Sequence, residues 1–214
     1  MKPLAILGGT FDPVHIGHLC VAWEASELLD AEVRLMPARV PPHRTPPVAS
    51  AGQRVALLRA ALAGQDRLQL DLRELERDGP SYSVDTLEAL RAEQGDRPLV
   101  LLIGGDAFAG LPSWHRWERL FELAHLGVFA RPGFEADWPV ELEAAVAARR
   151  ATPDDDWRRQ PAGRVLQLDV TPLDISATHV RGLLANGRVP RYLLPDGVFA
   201  DASLLDVYCR SRAP

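Results

Sequence analysis

Short apolar runs alternate with stretches of helical spacing along most of the chain. The apolar runs occupy residues 4–7, 32–38, 67–72, 98–105, 126–132 and 164–170. Residues 16–29, 52–64 and 83–94 instead place apolar side chains at the intervals of an amphipathic helix. This alternation predicts a doubly wound α/β fold, in which helices cover both faces of a mainly parallel sheet. Ligands bind such sheets at the carboxyl ends of the strands, so we expect site residues directly after the apolar runs.

Two segments depart from this alternation. Residues 38–50 are rich in proline, which predicts a long loop after the second strand. Residues 134–163 form an excursion that contains one predicted helix. Neither segment has the character of an interdomain linker, so the sequence predicts one Rossmann-like domain over residues 1–214.

Composition narrows the class of protein. Of the 214 residues, 47% are hydrophobic, and the formal net charge is −5, which argues against a broad electrostatic contact with nucleic acid. Cys20 and Cys209 fit no metal or redox spacing, which favours a reducing compartment. The apolar run after Lys2 is too short for a secretory signal, and no run approaches the roughly 18 residues that cross a bilayer. We therefore expect a cytoplasmic protein without nucleic-acid or membrane partners.

The first candidate site is GGTFDPVHIGHL, residues 8–19, which joins the first strand to the first helix. Backbone N–H groups at the start of a helix are unpaired and the helix dipole favours negative charge, so such turns bind phosphates. His15 and His18 are three residues apart and can present their rings on the same side of the helix. The alternative interpretation is a tight strand–helix turn whose histidines only pack or cap the helix. A metal site is less favoured, because the two histidines have no third ligand at a typical spacing.

The second candidate site is DISATHVRGLLANG, residues 174–187. Ser176 is a suitable N-cap and Gly187 a suitable C-cap for a short helix. Thr178 and Arg181 are three residues apart, so a hydroxyl and a guanidinium share one face near the helix start and can hold an anion. Taken alone, this motif is equally well explained as a capped surface helix.

Together, GTFDPVHIGH and ISATHVR resemble the paired signatures of the nucleotidyltransferase superfamily. Within it, the chain closely resembles the bacterial nicotinate-nucleotide adenylyltransferase family. The segments that carry this closer resemblance follow in the family's order: PPHR (41–44), RELERDGPSYSVDTL (73–87), IGGDAFAGLPSWHRW (103–117), ARPG (130–133) and YLLPDGV (192–198). Gly105 departs from the pattern, because a larger residue is expected between Gly104 and Asp106.

The resemblance implies two binding regions and a reaction that transfers AMP from ATP to nicotinate mononucleotide. His15, His18 and Arg181 would be the catalytic residues. The implied ATP site comprises Gly8, Gly9, Thr10, Phe11, His15, His18, Gly104, Asp106, Ser176, Thr178 and Arg181. The implied mononucleotide site comprises His43, Thr86, Trp114 and Arg131.

The implied reaction needs no general base, because the attacking phosphate monoester is already anionic near neutral pH. Positioning and charge stabilisation would carry the catalysis, with Mg²⁺ bound mainly through ATP phosphates. A related phosphopantetheine or cytidyl transferase would not explain GPSYSVDTL and LPSWHRW, and a non-catalytic nucleotide sensor is the alternative from another class. The sequence leaves open the preference between acid and amide mononucleotides and whether copies form a homo-oligomer.

Overall fold

A sheet of seven parallel strands runs through the computed structural model, which describes residues 1–40, 45–129, 138–171 and 173–209. The strands are β1 (Leu4–Gly9), β2 (Glu32–Pro37), β3 (Leu68–Leu70), β4 (Leu99–Gly104), β5 (His125–Phe129), β6 (Arg150–Ala151) and β7 (Val165–Leu168). Their order across the sheet is β3-β2-β1-β4-β5-β7-β6. The predicted doubly wound α/β fold is confirmed.

Helices follow the strands along the chain. The α-helices are α1 (Ile16–Leu28), α2 (Ala51–Leu62), α3 (Arg73–Glu76), α4 (Ser83–Gln94), α5 (Gly105–Ala109), α6 (Leu120–Leu123), α7 (Val140–Ala147), α8 (Ala177–Ala185) and α9 (Asp196–Phe199). Shorter 3-10 helices span Leu111–Ser113, Trp117–Arg119, Asp156–Arg159 and Ala202–Tyr208. Among the described residues, no helix has the length and apolar character that crossing a membrane requires.

Both faces of the sheet are buried, as the side chains of β1 illustrate. Ala5 and Leu7 point into one core cluster with residues of α1, α2 and α8, whereas Leu4 and Ile6 point into a second cluster with residues of α4. Successive side chains of a strand alternate between faces, so a strand covered on both sides is apolar at every position. This explains why the first apolar run has no polar residue.

The strand order reverses beside β1. The chain proceeds from β1 through β2 to β3 on one side, then returns to place β4 on the other side of β1. The loops that leave β1 and β4 therefore diverge, which opens a crevice at the carboxyl ends of these two strands. Residues that follow β1 and β4 border this crevice, so the fold positions the candidate site there.

The excursion at residues 134–163 contributes more than the one predicted helix. Besides α7 it supplies the edge strand β6, and Trp157 is only 2% exposed within the core. His125, at the start of β5, joins this segment to the sheet: its Nδ1 accepts from the Arg164 N–H, and its Nε2 donates to the Gln160 carbonyl. Burial lowers the pKa of His125 to about 4, so the ring stays neutral and keeps this tautomer.

Candidate functional site

The turn after β1 is shaped by Phe11, whose backbone lies in the left-handed region with φ of 51°. Its side chain is 1% exposed and folds back onto Gly9, where a Cβ would lie 3.0 Å from the phenyl ring. Gly9 is therefore needed for the close approach of this ring. A Cβ on Gly8 would meet no atom within 4 Å, so Gly8 lines the open crevice.

His15 and His18 form the start of α1. His15 is the N-cap, and its backbone N–H donates to Nδ1 of His18 over 3.2 Å. Because Nδ1 accepts this bond, neutral His18 carries its proton on Nε2, which makes Nε2 a donor. The two rings stack with centroids 3.6 Å apart, and the Phe11 ring meets His18 edge-on at 4.9 Å.

The absence of a side chain at Gly17 leaves room for the His15 ring. A Cβ on Gly17 would lie 3.2 Å from His15 Nδ1 and 3.6 Å from Cβ of Ile175, which precedes α8. His15 is only 5% exposed, and its ring lies close to Gly17, which the segment before α8 also approaches. The rings of His15 and His18 lie on the same side of the helix start, as predicted.

Asp12 joins the β1–α1 turn to three distant parts of the chain. Asp12 is 5% exposed, and its carboxylate accepts hydrogen bonds from the backbone N–H groups of Val48 and Ala49 at 2.8 and 3.0 Å. It also accepts from the hydroxyl of Tyr208 at 2.8 Å. Nη1 of Arg181 donates to the Asp12 carbonyl at 2.7 Å and lies 3.7 Å from Oδ2.

The start of α8 is capped as predicted, and it faces the β1–α1 turn. The hydroxyl of Ser176 accepts from the His179 N–H at 3.2 Å. Nη2 of Arg181 approaches the Thr178 hydroxyl at 3.3 Å, while its Nη1 reaches Asp12. The structure therefore brings the two motifs together. Asp12 and Arg181, which this hydrogen bond joins, are 169 residues apart in the sequence.

Arg54 is a further cation beneath this turn. It is 1% exposed, and its Nη1 donates to the carbonyl of Thr10 at 2.7 Å. Burial lowers the pKa of its guanidinium, while the charge of Asp12 opposes that shift. One buried carboxylate thus faces two guanidinium groups, which leaves the turn with an excess of positive charge that suits an anion.

Asp12 and Arg54 are not among the site residues that the sequence predicts. A signal for Arg54 exists, because it lies on the apolar face of α2 with Val55, Leu57 and Leu58, and arginine is almost never fully buried unless paired. Nothing local to Asp12 indicates its partners, which lie 36 to 196 residues away.

Gly104 and Asp106 follow β4 on the other side of the crevice. Gly104 ends β4 and is the N-cap of α5, with Asp106 exposed in the first turn of that helix. Gly105, where a larger residue was expected, is buried between them and begins α5. The strand order brings this pair beside the carboxyl end of β1.

Thr86 lies in a buried polar network of α3 and α4. It is 3% exposed, donates its hydroxyl proton to Glu74 at 2.8 Å and accepts from Nη2 of Arg77 at 3.3 Å. Burial raises the pKa of Glu74, against the opposing effect of its hydrogen bonds to Thr86 and Ser81. Glu74 and Arg77 were not predicted as site residues, although both lie in the RELERDGPSYSVDTL segment.

Trp114 is half-buried against the second core cluster, and so is Tyr82, the N-cap of α4. The ring of Tyr82 contacts that of His115, the residue after Trp114, at a centroid distance of 4.6 Å. The loop with Trp114 and the start of α4 thus meet on one surface. The two other predicted mononucleotide residues, His43 and Arg131, lie outside the described residues.

Comparisons with known proteins find a matching family model and similar proteins. Residues 6–183 match the family model described as cytidylyltransferase-like. A Pseudomonas putida protein named "Probable nicotinate-nucleotide adenylyltransferase" is 48% identical over 100% of this chain and 97% of its own length. A Halorhodospira halophila protein of the same name is 50% identical over 92% of this chain and 91% of its own.

Solved structures support the fold. The nicotinic acid mononucleotide adenylyltransferase of Plasmodium falciparum, solved with NaAD, superposes with a TM-score of 0.72 at 15% identity. The superposition covers 98% of this chain and 99% of the other. A second structure of that enzyme, solved with APC, gives a TM-score of 0.68 at 15% identity, over 97% of this chain and 96% of the other.

Proposed function

Since the chain belongs to the nicotinate-nucleotide adenylyltransferase family, we propose that it transfers the AMP moiety of ATP to nicotinate mononucleotide. The products are nicotinate adenine dinucleotide and pyrophosphate, and the enzyme is a nucleotidyltransferase of NAD biosynthesis. The observation that carries the proposal is the convergence of the starts of α1 and α8 at the crevice beside β1.

His15, His18 and Arg181 are the proposed catalytic residues. The proton on Nε2 of His18, the N–H groups at the start of α1 and the guanidinium of Arg181 are donors of the kind that phosphate oxygens accept. Ser176 and Thr178, at the start of α8, would complete the binding of the β- and γ-phosphates. The excess positive charge around Asp12 supports this assignment, because it attracts the polyanion without requiring a positive protein overall.

The reaction begins when a phosphate oxygen of the mononucleotide attacks the α-phosphorus of ATP in line with the bond that breaks. The P–O bond to the β-phosphate breaks and pyrophosphate leaves with the additional negative charge. No proton must be removed from the nucleophile, since its second pKa is about 6. The work of the protein is to align two anions and to stabilise the leaving group, which positioned donors achieve.

Enzymes of this family generally use a divalent cation with ATP, and we propose Mg²⁺ for this chain. No group of three or more metal-ligating side chains occurs among residues 1–40, 45–129, 138–171 and 173–209. A cation held by phosphate oxygens and water fits such a crevice, because Mg²⁺ keeps several waters and needs few protein ligands. It would supply charge neutralisation on the pyrophosphate.

The adenosine and the mononucleotide would occupy opposite sides of the crevice. Gly8, Gly9, Thr10 and Phe11 would contact ATP through their backbone, and Asp106 beyond Gly104 would accept from the ribose hydroxyls. Trp114 would stack on the nicotinate ring, since an indole face suits an aromatic ligand. Thr86 would position that ring from the start of α4, with its hydroxyl fixed by Glu74.

His43 and Arg131 are proposed to bind the phosphate of the mononucleotide. The proposed compartment is the cytoplasm, where ATP is supplied.

Pyrophosphate release tests the function directly. Purified protein is given ATP and MgCl₂ with either nicotinate mononucleotide or nicotinamide mononucleotide, and a parallel sample contains EDTA. We expect rapid release with the acid form, slower release with the amide and none with EDTA. Release with neither mononucleotide would overturn the proposed second substrate, whereas equal rates would mean that the pocket does not distinguish the carboxylate.

A further inference from the structure

Tyr208 is a buried group that the proposed mechanism does not use. It ends the 3-10 helix Ala202–Tyr208 and is 5% exposed, yet its hydroxyl donates to Oδ1 of Asp12 at 2.8 Å. Burial and the neighbouring Asp12 carboxylate both raise the pKa of Tyr208, so the phenol keeps its proton. An aromatic hydroxyl from a distant part of the chain thus reaches the turn that leads into α1.

The distance between Asp12 and Arg181 is unexpectedly long for a buried carboxylate beside a guanidinium. Arginine usually meets a carboxylate through one or two bonds of about 2.7–2.9 Å. Here Nη1 of Arg181 lies 3.7 Å from Oδ2 and donates instead to the backbone carbonyl of Asp12 at 2.7 Å. The side chain of Arg181 stays 29% exposed.

Neutral donors occupy the carboxylate in place of the guanidinium. Oδ1 accepts from the Ala49 N–H and from the Tyr208 hydroxyl, and Oδ2 accepts from the Val48 N–H. Three hydrogen bonds satisfy most of the acceptor capacity of a buried carboxylate. Because these hydrogen bonds already occupy the lone pairs of Asp12, a close ion pair with Arg181 would stabilise the carboxylate less.

We propose that Tyr208 is a positioning residue, which keeps the Asp12 carboxylate occupied so that Arg181 stays available to the phosphates of ATP. This inference rests on the proposed function, because it assigns Arg181 to ATP. Loss of the hydroxyl leaves Oδ1 one bond short in a buried environment, which is costly. Arg54 is fully buried, whereas the side chain of Arg181 is partly exposed, so of these two cations Arg181 has the room to move toward the carboxylate.

Tyr208→Phe tests the inference, because it removes only the hydroxyl. The affinity for α,β-methylene ATP with Mg²⁺ and that for nicotinate mononucleotide are measured separately by titration calorimetry. We expect the affinity for the ATP analogue to fall about tenfold, which is within the range of direct couplings, and the affinity for the mononucleotide to be unchanged. Tyr192→Phe is the matched control, since Tyr192 is 84% exposed.

A double-mutant cycle separates positioning from general loosening of the fold. In an Arg181→Ala background, Tyr208→Phe should have no further effect on the affinity for the ATP analogue, because its action passes through Arg181. An equal loss with and without Arg181, or an unchanged affinity in a folded Tyr208→Phe variant, would overturn the inference. The wild type must still form product from ATP and nicotinate mononucleotide, so failure of the proposed function is recognised separately.

If Tyr208→Phe does not fold, a second pair of variants tests the step on which the inference depends, that an occupied Asp12 carboxylate keeps Arg181 available. Val48→Pro removes the N–H that donates to Oδ2, at a residue that is 56% exposed. Val48→Ala keeps this N–H and is the matched reference. A lower affinity for the ATP analogue in Val48→Pro than in Val48→Ala supports the inference, and equal affinities contradict it.

Discussion

The starts of α1 and α2 have the same construction but different chemistry. In α2, Ser50 is the N-cap and Gln53 is three residues later: the Ser50 hydroxyl accepts from the Gln53 N–H at 3.3 Å, and the Gln53 amide oxygen accepts from the Ser50 N–H at 2.9 Å. In α1, His15 and His18 take the same two positions. Both helices have a glycine between the pair, at the second helical residue.

The two helix starts differ in how well their capping residues stabilise a helix and in the side chains that these residues place there. Serine is among the best N-caps, whereas histidine is not among the preferred ones. Ser50 and Gln53 are exposed, while His15 is buried and stacked on His18. The start of α2 is therefore explained by helix stability alone. The start of α1 keeps the capping geometry with weaker capping residues, which is the expected sign of a site selected for binding.

The largest effect should come from giving α1 the capping residue of α2. His18→Gln keeps an acceptor for the His15 N–H, but it replaces the imidazole by a flexible amide whose N–H groups do not hold the position of Nε2. We expect turnover of ATP and nicotinate mononucleotide to fall about 10²–10³-fold, as for the loss of one positioned donor, with little change in Tm. Gln53→Ala is the control at the equivalent position of α2 and should leave turnover unchanged. Full turnover in His18→Gln would exclude His18 as a catalytic residue.

An intermediate effect is expected at the two glycines. A Cβ on Gly17 would crowd the His15 ring at 3.2 Å, but a Cβ on Gly52 would meet no atom within 4 Å. Gly17→Ala should therefore lower kcat about 10-fold or more by displacing an imidazole, because small misplacements of catalytic groups are costly. Gly52→Ala should raise the free energy of unfolding by up to about 1 kcal/mol and leave kcat unchanged.

If both alanine variants have wild-type kcat, the His15 ring needs no fixed position. If both lose activity, the effect does not depend on this ring. Only a loss confined to Gly17→Ala agrees with the difference between the two helix starts.

The smallest effect is expected from the cap of α2 itself. Ser50→Ala removes the acceptor for the Gln53 N–H and should lower the free energy of unfolding by about 1 kcal/mol, measured by urea denaturation. Turnover should be unaffected at temperatures where the protein is folded. A change in kcat for this variant would mean that the two helix starts are not functionally distinct.

Local signals in the sequence predicted the parts of the site that depend on neighbouring residues. The turn from β1 into α1 and the Ser176 cap of α8 are each determined within a few residues, and both occur where the pattern predicts them. The helix at residues 83–94 agrees in both bounds with α4. The catalytic and binding roles of these residues stay predictions until variants are measured.

Contacts between distant residues could not be read in this way. The bond from Arg54 to Thr10 spans 44 residues and that from Tyr208 to Asp12 spans 196, so no spacing rule connects them. Thr86 was chosen for its place in a motif, but its buried bond to Glu74 depends on how α3 packs on α4. The contribution of residues 138–163 to the core likewise depends on Trp157, which no periodic pattern singles out.

The complete burial of Arg54 also affects how the binding of an anion depends on ionic strength. Counter-ions reach exposed lysines and arginines and screen them over about 8 Å at physiological salt, but they cannot surround a guanidinium that is 1% exposed. The attraction that Arg54 exerts on an anion in the crevice acts through the protein rather than through the solvent. Binding of ATP should therefore weaken less with added KCl than binding of a polyanion to a surface patch of the same charge.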